Sequence, residues 1–463
     1  MISNLTDRFR RVIPAGAGAL AMLALGACSV QDSLLEQQQP QIILPSDVQS
    51  STGALALYNG ALGRFRNSLN GGNNNQEYIW NFEGLMTDEV QSADSFSQRN
   101  DADQRTTLSN DQVLLPIYNR LQQSRGFARD AALSLAQFAP DEKTKYAEMF
   151  MEIGFFEVTL GQAFCNGIPL GETVDGVPVY TQPLTNQEVF QTAITRLDTA
   201  LTNLTGTDAE TVRIRNATLI TKARALVDLG QFDQAAALVT AIPTNYTYLI
   251  TYSNTTQTNE WWQMYTSTHR YSVGDSVSPG GAVRILNAIP FYSSNDPRIQ
   301  KKPAKGVGLD TTTPFTELTN WGREDPISLV NGLDARLIEA EAQLNKKTAA
   351  GYLAMNTILN NLRTTPPQYG NLVIDAMPAL PLPVTFDEAV DQFFREKAFW
   401  QYGRGERFSD LRRLTRQYQR PANTVWPTGT FFKNGVYGDN VNFPVPDSEK
   451  SNPNFTGCID RNA

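Results

Sequence analysis

Apolar residues recur at helical spacing along most of this chain. The stretches where the spacing lapses mark its other parts. Leu55, Leu57, Tyr58, Leu62 and Phe65 predict a helix beginning near Ser51. Asn70-Gly71-Gly72-Asn73-Asn74-Asn75 then opens a long loop running to about Asp111. Helical spacing resumes at Leu114. Over residues 141–163, Tyr146, Met149, Ile153, Phe156, Leu160 and Ala163 form one face, and Cys165-Asn166-Gly167-Ile168-Pro169 ends it. Thr185 and Glu188 read as a capping box before Phe190, Ile194, Leu197, Leu201 and Leu204. Two helices over 215–229 and 232–240 flank a Gly230-Gln231 turn. Their alternation of small Ala217, Ala223 and Ala235 with large Leu219, Leu226 and Phe232 has the character of a tetratricopeptide-like hairpin. A similar hairpin pairs Leu333, Leu337, Ala340 and Leu344 with Tyr352, Met355, Ile358 and Leu362. Residues 245–325 read as irregular, helices return over 386–402 and 406–418, and the tail reads as loop. The expected fold is mainly α: a tetratricopeptide-like helical hairpin scaffold with a large irregular, loop-rich portion. It forms a single domain over 51–463, with insertions at about 70–111 and 245–325.

The N-terminal segment has a different pattern. Arg8, Arg10 and Arg11 precede an apolar run over 12–25 that is too short and too rich in Gly and Ala for a spanning helix, which needs about 20 apolar residues. It ends in Leu25-Gly26-Ala27-Cys28, which resembles the bacterial lipobox. That resemblance implies a signal peptide over 1–27, removed as Cys28 is lipidated with several acyl chains, palmitate among them. Residues 28–50 are polar, with Gln37-Gln38-Gln39-Pro40 and Pro45, and read as a flexible tether.

Composition narrows the chemistry. The net charge is −8 and no broad basic stripe is present, which argues against nucleic acid as a partner. His269 is the one histidine, which excludes clusters of His-ligated metal and argues against Ser-His-Asp catalysis. No cofactor and no metal are expected. Carboxylate-pair hydrolysis of a surface glycan stays formally open, though no motif marks it. With Cys28 lipidated, Cys165 and Cys458 remain. In an oxidising compartment they form a disulfide or stay as two separate buried thiols.

Several further stretches, in order, resemble the SusD/RagB-type lipoproteins. They are Ala163-Phe164-Cys165-Asn166-Gly167-Ile168-Pro169-Leu170, Asn295-Asp296-Pro297-Arg298, Arg336-Leu337-Ile338-Glu339-Ala340-Glu341-Ala342, and Leu359-Asn360-Asn361-Leu362-Arg363. Arg395-Glu396 with Gly403, Arg407 and Asp410-Leu411-Arg412-Arg413 resembles the C-terminal signature. Phe443-Pro444-Val445-Pro446 with Asn452-Pro453-Asn454 resembles the ending. One departure is Gln401-Tyr402-Gly403, where the family usually has Phe-Glu-Gly; it bears on subfamily and substrate. The resemblance implies a nonenzymatic surface protein, lipid-anchored at the outer membrane. It would capture an oligosaccharide or peptide and act as the lid of a SusC-like TonB-dependent transporter. A helical-repeat adaptor without a small ligand is the competing reading.

Sugars stack their C–H faces on aromatic rings and present hydroxyls to polar side chains. Two segments combine such residues: Tyr78, Trp80 and Asn81, and then Trp261, Trp262 and Tyr265, joined by Trp321. The same rings could instead fill the core or meet the transporter. The alternating charges of Arg336, Glu339, Glu341, Arg395, Glu396, Arg407, Asp410 and Arg412 read as a structural ion-pair cluster, with Arg363 and Arg413 nearby.

Overall fold

The computed structural model describes residues 49–71, 77–174, 177–303 and 306–463. The signal segment, Cys28, the tether up to Val48 and the Asn73-Asn74-Asn75 run lie outside the described residues.

The chain from Ser50 onward forms one unit built on successive antiparallel helices. Helix α1 (Ser51–Asn70) starts at Ser50, whose hydroxyl accepts from Gly53 N. A short α2 (Ile79–Met86), strand β1 (Val90–Ser92) and α3 (Ser97–Asp103) follow. Then α4 (Leu114–Phe138) packs on α1 and α5 (Lys143–Ala163) packs on α4. Two short strand pairs, β2 (Ile168–Pro169) with β5 (Pro183–Leu184) and β3 (Glu172–Val174) with β4 (Val177–Val179), lead to α6 (Asn186–Asn203). Helix α6 lies close against α5 because α5 carries glycines at the contact: a Cβ at Gly154 would sit 2.6 Å from Leu197, and one at Gly161 2.7 Å from Phe190. The series continues through α7 (Ala209–Asp228) and α8 (Phe232–Val239). After the irregular region come α10 (Gly332–Leu344), α11 (Ala349–Thr364), α12 (Phe386–Trp400) and α13 (Glu406–Arg416). The predicted Thr185–Glu188 capping box is formed, and Asn331–Asp334 and Thr385–Glu388 supply two more. The mainly α scaffold of tetratricopeptide-like hairpins is the observed architecture.

The stretch read as a loop over 70–111 is a correction: its described part folds. Every residue of α2 is buried, and β1 pairs antiparallel with β7 (Tyr271–Val273), Val90 facing Val273. Periodicity is lost because α2 is enclosed on all sides, with polar Asn81 and Glu83 buried beside apolar Ile79 and Phe82. The irregular 245–325 region holds β6 (Thr247–Ile250), which pairs with β10 (Ile327–Asn331). It also holds β8 (Lys301–Lys302), which pairs with β9 (Glu317–Leu318). Between them, α9 (Glu260–Trp262) runs into a π-type turn over Gln263–Ser267.

The C-terminal tail threads back into the body. Phe443 stacks between Phe82 and Phe408, at ring distances of 5.2 and 4.9 Å, and its backbone bridges Phe164. Cys165 and Cys458 are disulfide-bonded, and Asn166 Nδ2 donates to Asp460 beside them.

The signature charges are buried pairs for the most part. Glu396 accepts from Arg298 (2.7 Å) and Arg363 (2.8 Å), and Asp410 pairs with Lys397 (2.6 Å) and Arg413 (3.0 Å). Arg413 also pairs with Glu341, Arg407 with Asp88 (2.9 Å), and Arg336 with Glu339 (3.2 Å). Two residues depart from the expected network. Arg395 is exposed and lies over the Phe399 ring at 5.3 Å, in no ion pair among the described residues. Arg412 is buried but donates to the carbonyls of Gly161, Gln162 and Phe164 at 2.6–3.1 Å. It satisfies the open carbonyls at the end of α5, where the helix dipole favours a cation.

Candidate functional site

A cleft of about 520 Å³ opens between the outer faces of α1 and α4 and the turn at Thr256-Gln257. Helix α1 contributes Arg64, Asn67 and Ser68. Helix α4 contributes Pro116, Asn119, Arg120, Gln123 and Ser124, and Tyr78 forms part of the wall. Positions 116, 120 and 124, and 119 and 123, are four apart, which brings each set onto one face of α4. Asn119 and Gln123 also border a second recess of about 640 Å³ further along α4. There Phe127 and Tyr180 are exposed, and Asn452 from the tail closes one side. The two recesses make one trough along the exposed face of α4.

The cleft is held by local packing. The Arg120 guanidinium lies 4.2 Å over the Tyr78 ring and donates to Glu77 O at 2.9 Å. Arg64 lies 4.1 Å over Phe127. Ser68 Oγ and Ser124 Oγ join α1 to α4 at 2.5 Å. Burial raises the Tyr78 hydroxyl to about 12, so it remains a neutral donor at physiological pH. The far wall depends on one glycine. Gly71 bridges Asn259, and a Cβ there would sit 1.7 Å from Gln257 Nε2. Gln257 is only 8% exposed, yet its Nε2 has no hydrogen-bond partner among the described residues. A buried amide donor in a cleft wall is poised for an acceptor on a ligand.

Behind this wall lies a charged layer. Arg99 pairs with Glu77 and, at 2.7 Å, with Asp94; Asp94 also pairs with Arg270 at 2.7 Å. Glu260 is fully buried next to them, and neither carboxylate oxygen has a hydrogen bond among the described residues. Burial and the nearby Glu77 charge hold its carboxyl well above the usual carboxylate range.

Of the aromatic candidates, Tyr78 lines the cleft. Trp80, Asn81, Trp261 and Tyr265 do not: they are at most 3% exposed. They form a core seam under the Gly403–Gly405 turn. Trp261 Nε1 donates to Gly403 O at 2.8 Å, and a Cβ at Gly405 would meet Trp80 at 2.4 Å. Tyr265 OH meets Tyr402 OH at 3.4 Å. A ring enclosed on both faces cannot stack on a sugar, so Trp80, Trp261 and Tyr265 serve packing. Asn81 is fully buried within α2. Trp262 is half-buried with Arg323 over its ring at 5.2 Å. Trp321 stacks against Trp261 at 6.4 Å and borders a narrow slot of about 50 Å³ with Tyr369 and Trp400. His269 is exposed and stacks on Phe315 at 4.4 Å. The polar cleft residues Arg64, Asn67, Asn119, Arg120, Gln123 and Gln257 were not among the sequence candidates. Their signal was the run of amides at four-residue spacing on α4, which also reads as an ordinary solvated face.

No protein-family profile matches the chain, and no curated protein sequence matches it. Solved structures do. A SusD superfamily protein from Parabacteroides distasonis matches with a TM-score of 0.62 at 14% identity, covering 90% of this chain and 99% of that one. A SusD-like carbohydrate-binding protein from Bacteroides vulgatus matches with a TM-score of 0.61 at 13% identity, covering 88% and 97%. One from Bacteroides fragilis, also described as SusD-like and carbohydrate-binding, gives 0.60 at 12%, covering 88% and 99%. The chain therefore has the SusD-like fold over nearly all its described length, which is the fold the sequence resemblance implied.

Proposed function

We propose that the chain is a nutrient-binding lipoprotein of the SusD/RagB type. It holds an oligosaccharide in the cleft between α1 and α4 and passes it to a SusC-like TonB-dependent outer-membrane transporter. The observation that carries this reading is the lining of the cleft. Asn67, Asn119, Gln123 and Gln257 carry side-chain amides, and Phe127 is an exposed ring where the cleft meets the next recess. Amides pair with both the donor and the acceptor of a sugar hydroxyl, and rings cover its apolar face. That the fold is shared with proteins described as carbohydrate-binding adds support.

A saccharide fits better than a peptide. The walls are helix faces and a turn, not a strand edge on which an extended backbone could pair. Among the described residues no Asp or Glu lines the cleft itself; Asp130, Glu172 and Glu449 line the neighbouring recess. Glycoside hydrolysis needs two carboxyl groups flanking the bond, so we read the site as binding without turnover. Surface tethering rests on the lipobox-like Cys28. Among the described residues, no helix is long and apolar enough to cross a membrane. Two measurements test the reading. Titration calorimetry against an oligosaccharide panel should find a ligand that binds without being cleaved. Affinity purification from solubilised outer membrane should recover a large barrel protein. Saccharide turnover, or repeated recovery of the chain alone, would overturn it.

A further inference from the structure

The cleft and the recess beside it share more than a border. Asn119 and Gln123 line both, so the two volumes, about 520 and 640 Å³, meet over one stripe of α4. At the rise of a helix, the stripe from Pro116 to Asp130 is about 21 Å long. A single pyranose unit covers only part of it.

The side chains of α4 are divided by face. Gln122 donates to Pro169 O at 2.8 Å, Arg125 to Gly171 O and Arg129 to Thr173 O, which fastens the β3–β4 hairpin as the outer wall of the recess. Asn119 and Gln123 face the trough instead and make no side-chain hydrogen bond among the described residues. Gly126 follows them on the same face. Beyond it Tyr180, at the end of the hairpin, is 46% exposed, with no ring or cation against it among the described residues. The carboxyl groups of the recess are engaged: Asp130 and Glu172 pair with Arg129 at 2.7 and 3.2 Å, and Glu449 meets the Tyr118 hydroxyl.

Packing does not account for Gly126. On α5, Gly154 and Gly161 admit side chains of α6 at contact distance, whereas a Cβ at Gly126 would find nothing within 4 Å. A glycine inside a helix weakens it relative to alanine. What Gly126 provides is bare backbone in the lining of the recess, open to a ligand that approaches closely.

We infer that the cleft and the recess are two subsites for one extended saccharide of more than two units, which lies along α4 and crosses Gly126 to reach the ring of Tyr180. This rests on the saccharide reading above and adds the length and path of the ligand. A chain that fills both subsites binds more tightly than one that fills either, because its second contact is intramolecular.

The purified chain is titrated calorimetrically with two-unit and six-unit members of three neutral series: malto-, manno- and xylo-oligosaccharides. In a series that binds, the six-unit member should bind at least about tenfold more tightly than the two-unit one. Gly126→Leu puts a side chain across the path and should erase that gain, while the melting temperature holds or rises because Leu is the better helix former. Gly60→Leu, at an equally open helix position that lines neither recess, should leave the gain intact. Tyr180→Ala should reduce it. Equal affinity for the two lengths, a gain that survives either Gly126→Leu or Tyr180→Ala, or a gain lost as fully in Gly60→Leu overturns the spanning path and leaves the saccharide reading standing. Failure of every probe to bind overturns both.

Discussion

In the proposed reading, Gln257 couples stability and binding at a single residue. Its buried amide, without a partner among the described residues, costs the folded chain about 1–3 kcal/mol relative to a satisfied or apolar group. Gln257→Met keeps the length of the side chain and removes that demand. The variant should be as stable as the parent or more so, by up to about 1 kcal/mol, while saccharide affinity falls. Thermal unfolding and calorimetry on the same preparation check both halves. A loss of stability with affinity intact would assign Gln257 a structural role. Glu89 gives a second prediction. Burial raises its carboxyl to about 8 and raises Asp103 to about 7, so each holds a proton in the folded chain below that pH. Unfolded carboxyls ionise near about 4. Between there and about 8 the folded state binds more protons than the unfolded one, so stability falls as pH rises through that window and levels off above it. Glu89→Gln keeps the oxygen that accepts from Gly403 N and removes the titration. Urea unfolding at about pH 5 and pH 8 should show a smaller loss in the variant; equal losses would show that Glu89 does not carry the slope. The cleft residues were hard to see in the sequence. Aromatic rings serve cores and ligands alike, and Trp80, Trp261 and Tyr265 went to the core while Tyr78 reached the cleft. Arg64, Asn119 and Gln123 sit on helix faces whose polarity is what solvent exposure alone would also produce.

Among the elements, those with one buried face were legible. Helix α6 begins at its capping box and buries Val189, Phe190, Ala193, Leu197 and Ala200 along one side. Helix α2 was missed because it is buried all round, so no polar face marks its period. Helix α5 was recognised by its apolar stripe, but its nominal outer face is also covered. Glu148 is buried there and accepts from Tyr248 OH (2.6 Å), Arg213 (3.0 Å) and Tyr58 OH. The burial of a glutamate among tyrosines and an arginine depends on which helices pack beside it, which spacing along one helix does not encode. The end of α5 carries the element-scale prediction. The Cys165–Cys458 disulfide spans 293 residues and fixes the tail whose Phe443 fills the core beside α2 and α13. The double variant Cys165→Ala, Cys458→Ala should lose roughly 2–5 kcal/mol in denaturant unfolding. Reducing agent should lower the parent toward the same midpoint. A parent that is indifferent to reductant would show that the tail is held by packing alone.

At the scale of the molecule, the helical hairpins form a scaffold and the cleft lies on the outer face of its first two long helices. The insertions over 77–111 and 245–325 back that cleft with the Arg99, Asp94, Glu77 and Arg270 pairs. Architecture was the most legible level, because hairpins repeat a small set of packing rules. The ligand was the least legible, because it depends on how turns such as Thr256-Gln257 meet helix faces far away in sequence. The proposed role adds a lipid at Cys28 and a transporter beneath the module, so that capture and release occur at the membrane surface. The most direct measurement is a crystal structure of the chain with an oligosaccharide that binds it. The account predicts the saccharide between α1 and α4, with a sugar oxygen at Gln257 Nε2 and a ring or guanidinium contact at Tyr78 or Arg64. A ligand seated elsewhere, with this cleft holding only solvent, would contradict it.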